Sequence, residues 1–159
     1  MSEKHPLPAL RGPGPVQAQT RRGPSLSQRL FARGYDSVFD RIDGHGSGEH
    51  RRRLAEGASG EVLEIGAGTG RNLTLYRNAS RLVALEPDPG MLARAEQVVR
   101  RATVPVEVVE GWAERLPFPD SSFDTVVASY VLCSVTEPDR AVAEARRVLR
   151  SGGTLRFYE

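Results

Sequence analysis

Downstream of Glu49 the apolar positions follow two alternating periods. Short runs at residues 62–65, 82–85, 106–109, 123–129 and 154–158 read as five strands. Between them, Met91, Leu92, Ala95, Val98, Val99 and Ala102, and later Val142, Ala145, Val148 and Leu149, recur at helical spacing. Strand alternating with helix predicts an α/β domain with a mostly parallel sheet and helices on both faces. The near-continuous apolar run at 123–129 suits a parallel strand covered on both sides. Pro138 is placed to start the last helix, and Gly152 with Gly153 to stop it. Ahead of this core, Phe31, Tyr35, Val38, Phe39 and Ile42 predict an amphipathic helix ended by Gly44, Gly46 and Gly48. A charged helix over 49–58 follows.

Charge changes the picture only at the front of the chain. The 159 residues carry a net charge of +2, but residues 1–35 hold six Lys or Arg against one Glu, so the basic character is local. Pro6, Pro8, Gly12, Pro13, Gly14, Pro15, Gly23 and Pro24 deny that stretch a core, so residues 1–25 read as a disordered basic tail and 26–159 as one domain. With no aromatics among those charges, a solubilising leader is the expectation rather than a nucleic-acid arm. One cysteine, Cys133, excludes an internal disulfide, and no run reaches membrane-spanning length. A cytoplasmic protein is expected.

Chemistry enters at residues 61–70, EVLEIGAGTG, where an apolar strand runs into Gly66, Gly68 and Gly70. Such a turn lets backbone N–H groups approach a ligand closely. A dinucleotide fingerprint needs a small residue where Arg71 stands, and no Gly-Lys-Ser/Thr follows, which argues against a nicotinamide site and excludes a P-loop. Glu86 ends the second strand twenty residues beyond Gly66. A carboxylate there can accept both hydrogens of a ribose diol, which any adenosine ligand presents.

Together, EVLEIGAGTG, VALEPDPGM, AERLPFPDSSFDTVVAS and EARRVLRSGGTLRFYE resemble, in order and spacing, the class I S-adenosylmethionine-dependent methyltransferases. The likeness covers residues 50–159 and is to the small-molecule branch, which includes ubiquinone and menaquinone biosynthesis enzymes. SYVLCSV with RVLRSGG is similar to thiol methyltransferase-like proteins. The resemblance implies a Rossmann-like three-layer sandwich binding S-adenosyl-L-methionine. By that likeness Gly66, Ala67 and Gly68 pass under the methionyl part and Glu64 helps place its amino group. A structural salt bridge is the competing role for Glu64. Glu86 takes the ribose hydroxyls, and Pro87 with Met91 lines the adenine, although Met91 also suits plain core. Trp112 stands where relatives often carry an acid. It either stacks beside the purine or covers a hydrophobic edge, while the Ala113 backbone contact survives and Glu114 is a substitute acceptor. Ser129 and Tyr130 end strand four beside the expected sulfonium. Tyr35 resembles a cofactor-lid residue.

The implied reaction is methyl transfer to a small acceptor: a thiol, a phenol or quinol, an amine or a lipid headgroup. The alternative is a non-catalytic binding or assembly module that keeps the fold. A methyl on positive sulfur needs alignment more than acid–base help, and no catalytic base or metal cluster is legible. His45 and His50 read as surface histidines and Cys133 as an inert packed thiol. Relatives continue past strand five with more helix and an antiparallel strand pair. A C-terminally incomplete domain is therefore expected, with strand five at an unprotected edge open to pairing with another copy.

Overall fold

The computed structural model describes residues 48–159. Its elements are helix α1 (Gly48–Glu56), strand β1 (Ser59–Ile65), strand β2 (Asn78–Glu86), helix α2 (Pro89–Val99), strand β3 (Val106–Glu110), strand β4 (Phe123–Ser129), helix α3 (Pro138–Val148) and strand β5 (Leu149–Tyr158). The tail expected at 1–25, the amphipathic helix with Tyr35, and His45 lie outside the described residues. All strand pairs are parallel, in the order β3-β2-β1-β4-β5. The order reverses between β1 and β4, and a crevice opens at such a point beyond the strands' carboxyl ends.

The period-two pattern explains the layers. Leu63 and Ile65 of β1, Val83 and Leu85 of β2, and Val126 and Ala128 of β4 share one core with Ala141, Ala145 and Val148 of α3. Val62, Leu82, Ala84 and Val127 point the other way, into a second core with Ala55 of α1 and Ala95 of α2. Both faces of the sheet are thus apolar and covered, and the α/β three-layer sandwich expected from the pattern is present. Asp88 starts α2 by accepting from the amides of Gly90 and Met91 at 2.8 and 2.9 Å, with Pro89 in the first turn.

The last helix ends differently from expectation. Instead of running to Gly152, α3 stops at Val148 and passes directly into β5. The amides of Ser121 and Ser122 take the carbonyls of Arg147 and Val148 at 3.0 and 2.8 Å, which satisfies the helix end without a glycine. Gly152 and Gly153 serve β5 instead. Between the pairs Phe123–Leu149 and Thr125–Thr154, β5 advances five positions while β4 advances two, and a side chain at Gly153 would meet carbonyl oxygens of Arg150 and Asp124 at 2.9 and 3.0 Å. Arg147 locks this corner to the loop before β4, bonding Glu144, Asp120 and the carbonyls of Leu116 and Phe118. At the sheet edge, Arg156 of β5 donates to the carbonyls of Leu54 and Arg53 and caps the C-terminal end of α1.

Gly70 supplies the close helix approach that a dinucleotide fingerprint places one position later. A Cβ there would sit 2.9 Å from the Cα of Ala95, and its φ is +84°. Backbone cannot yield as a side chain can, so Gly70→Ala is expected to cost about 2 kcal/mol in denaturant unfolding. A loss below about 0.5 kcal/mol would show that α2 can shift freely.

Candidate functional site

At the β1–β4 reversal a cavity of about 480 Å³ is lined by Gly66, Gly68, Glu86, Pro87, Met91, Trp112, Ala113 and Glu114 together with Tyr130, Val131 and residues 133–136. A smaller, more polar hollow of about 40 Å³ adjoins it, lined by Arg51, Ala67, Thr69, Arg71, Asn72 and Ser129. Gly66, Gly68 and Tyr130 line both.

Glu86 is the most constrained group of the site. It is 7% exposed. Its Oε2 accepts from the Gly68 amide at 2.9 Å and its Oε1 from the Asp88 amide at 3.0 Å. Burial raises its pKa, the Asp88 and Gly68 amides oppose that, and the Asp88 charge adds to it. The glycine turn and the strand-two acid, separate signals in the sequence, are therefore one clamp. This also revises what the turn does. Ala67 N–H donates to the Leu85 carbonyl and Gly70 N–H to that of Ala67, both at 2.9 Å, so with the Gly68 amide on Glu86, three N–H groups expected to cup a ligand are engaged within the fold. What the turn offers instead is room. A Cβ at Gly68 would meet only the Met91 sulfur, at 3.8 Å, whereas one at Gly66 would strike Val131 Cγ2 at 2.4 Å.

Glu64 and Gly70 sit behind the cavity rather than on its wall. On β1, Glu64 shares the face of Val62, and its Oε1 accepts from Asn72 Nδ2 at 2.6 Å. The Asn72 oxygen accepts from Arg51 at 2.8 Å, so a guanidinium is linked to the carboxylate through one amide. Burial pushes the Glu64 pKa up to about 7 against the opposing pulls of Asn72, Tyr76 and Arg51. Its Oε2 and the Tyr76 hydroxyl are buried without a hydrogen-bond partner of good geometry, as is the Ser129 hydroxyl oxygen.

Around the rim, Trp112 is 66% exposed and Ala113 is buried. Met91, at 7% exposure, is at once helix core and cavity wall. Glu114 Oε1 accepts from the Thr136 amide at 3.0 Å and ties the loop after β3 to the loop after β4. Glu159 holds the latter loop from β5, accepting from the amides of Val131, Leu132 and Cys133 at 3.1, 2.8 and 3.2 Å. Burial would raise the Glu159 pKa, but the hydrogen bonds from Leu132, Cys133 and Val131 outweigh it and the net shift is downward. Cys133, expected as a packed thiol, is exposed on the cavity wall because this loop leaves the sheet at Tyr130. Its pKa is raised, first by the hydrogen bond to Glu159, so the thiol form is favoured. His50 is exposed, as expected of a surface histidine, and stacks on Tyr158.

Sequence reasoning missed Asn72, Tyr76, Arg51 and Glu159. Only Asp88, as an Asp-Pro helix start, left a readable signal. Among the described residues no group of three His, Cys, Asp or Glu could hold a metal, and no helix is long and apolar enough to cross a membrane.

A methyltransferase-domain family model matches residues 63–157. The chain is 41% identical over 122 residues to a phosphatidylethanolamine N-methyltransferase of Cereibacter sphaeroides, covering 74% of this chain and 60% of that protein. It is 40% identical over 108 residues to a human thiol S-methyltransferase, with coverage of 65% and 44%. A demethylmenaquinone methyltransferase of Thermobifida fusca is 37% identical over 138 residues, with coverage of 79% and 58%. The chain thus spans about half the length of these relatives. Among solved structures, the DhpI–SAH complex superposes with a TM-score of 0.67 at 28% identity, covering 82% of this chain and 64% of that one.

Proposed function

Because this chain belongs to the methyltransferase-domain family, we propose that its cavity holds S-adenosyl-L-methionine and that the domain serves methyl transfer to a small, largely apolar acceptor. The observation that carries this is the Glu86 carboxylate, pinned by two backbone amides at the cavity wall. Each of its oxygens retains a lone pair that can accept one hydroxyl of a ribose diol. Pro87, Met91, Trp112 and Ala113 supply the apolar walls a purine needs. Arg51 and Arg71 bring cationic character to the smaller hollow, which suits a carboxylate, and the orphaned Ser129 hydroxyl there is placed for a polar ligand group. The open space at Gly68 lets a ligand pass between the two hollows. The residues present therefore fit the cofactor.

Bound there, the cofactor supplies a methyl on positively charged sulfur, open to in-line displacement by an acceptor nucleophile. The protein's part is alignment and exclusion of water. Among the described residues no histidine lines the cavity, and the carboxylates of Glu114 and Glu159 are taken up by loop amides. Relatives are named for phosphatidylethanolamine, a thiol and demethylmenaquinone, and the first and last of these acceptors carry a large apolar body. Ile65, Leu85, Val131 and Val135 offer matching surface here.

Isothermal titration of the full chain with S-adenosylhomocysteine is expected to give one-site binding in the micromolar range. Absence of heat at 1 mM ligand, about −4 kcal/mol of binding free energy, would remove the proposal.

A further inference from the structure

Three residues line both hollows of the site: Gly66, Gly68 and Tyr130. Two of them have no side chain, so at the join between the apolar cavity and the polar hollow the Tyr130 ring is the one side chain present among the described residues. Tyr130 reaches that place at a conformational cost, since its φ is +56°, a region that residues other than glycine enter uncommonly. The surroundings hold it there. Its amide donates to the Tyr158 carbonyl at 2.9 Å, and its ring meets the Tyr158 ring edge-on at 5.3 Å and 85°. Tyr158 in turn is stacked on His50 at 4.3 Å and 9°. A strained residue held through both its backbone and its ring by one neighbour, where two hollows of a site meet, is a stronger signal than a strained residue in a loop.

We propose that Tyr130 is a charge-selectivity residue, whose aromatic ring favours a positively charged sulfur over a neutral one at the join of the two hollows. This rests on the cofactor reading above, which places the nucleoside in the large cavity and the amino-acid end in the polar hollow, with the sulfur between them. An aromatic face attracts a desolvated cation more strongly than a neutral thioether, so the ring stabilises the methyl donor more than the demethylated product and promotes product exchange.

The test is the ratio of affinities for S-adenosylmethionine and S-adenosylhomocysteine, measured by calorimetry on the full chain without any acceptor. Tyr130→Phe retains the π face and is expected to keep the wild-type ratio within about twofold. Tyr130→Asn tolerates positive φ but has no ring. It is expected to lose about tenfold in affinity for S-adenosylmethionine while its affinity for S-adenosylhomocysteine stays within threefold. Tyr130→Leu, which keeps apolar bulk without a π face, carries the same expectation and guards against a failure of the Asn variant to fold. Equal losses for both ligands, or an unchanged ratio in the Leu variant, overturn the assignment while leaving the cofactor site standing. If the wild type binds neither ligand, the cofactor reading fails and this inference fails with it.

Discussion

Glu64→Gln is expected to stabilise the protein at pH 8 by about 3 kcal/mol relative to wild type, and to match it at pH 4, where the carboxyl is protonated. The sign follows from the direction of the shift. Burial raises the folded-state pKa from 4.5 to about 7, so the folded chain binds this proton more tightly than the unfolded chain does. The contribution of Glu64 to stability is then greatest below about 4.5 and declines as pH rises to about 7. Other carboxylates titrate in the same window, so the informative quantity is the difference between variant and wild type, from urea unfolding at several pH values. Glutamine retains the oxygen that accepts from Asn72, removes the buried charge and puts an NH₂ donor beside the Tyr76 hydroxyl in place of the second oxygen. The same variant separates the two roles open to Glu64. A stability gain with unchanged S-adenosylhomocysteine affinity marks a structural carboxylate, and a gain with weakened affinity marks one kept charged to serve a ligand's ammonium group. A difference that does not grow with pH would show that the carboxylate is solvated in the folded state.

That a destabilising acid stands in β1 could be suspected from the sequence, since Glu64 interrupts an apolar run. Its partners could not. Asn72 and Tyr76 lie on the turn-rich segment after Gly70, where no period marks which side chains face the sheet, and Arg51 comes from a helix that is charged almost throughout. The sheet was legible for the opposite reason. Alternation on β1, β2 and β4 is imposed by two cores at once, so a slip of one residue would mis-seat both faces. Strand β4 was read with the bounds it has, whereas β2 begins at Asn78, four residues before its apolar run, because backbone pairing to Ser59 and Gly60 continues past the end of the buried pattern. The glycine pair at 152–153 was misread because a helix stop and a strand bulge make the same demand on the backbone, and only the pairing of Ser121 and Ser122 with the helix end distinguishes them. Within the site, Glu86, Gly66 and Gly68 were found by spacing. The bonds that give Glu114 and Glu159 their roles run between loops 22 and 26 to 28 residues apart, which no local pattern encodes.

Glu86→Gln is expected to weaken S-adenosylhomocysteine binding about 100-fold, a loss near 2.7 kcal/mol. Two effects combine. The carboxylate accepts amides from Gly68 and Asp88 through different oxygens, so a glutamine must turn its own NH₂ toward one of those N–H groups and leave that donor without an acceptor. It also offers the ribose one acceptor and one donor instead of two charged acceptors, which removes a charge-assisted hydrogen bond. The two are separable with 2′-deoxy-S-adenosylhomocysteine. Wild type is expected to bind this analogue at least tenfold more weakly than the parent, and the variant to bind both within about threefold of each other, because the bond that senses the hydroxyl is already gone. Discrimination that persists in the variant would mean that another group reads the sugar. A variant that unfolds several kilocalories per mole more easily, yet still discriminates when folded, would reduce Glu86 to a fastener of the glycine turn.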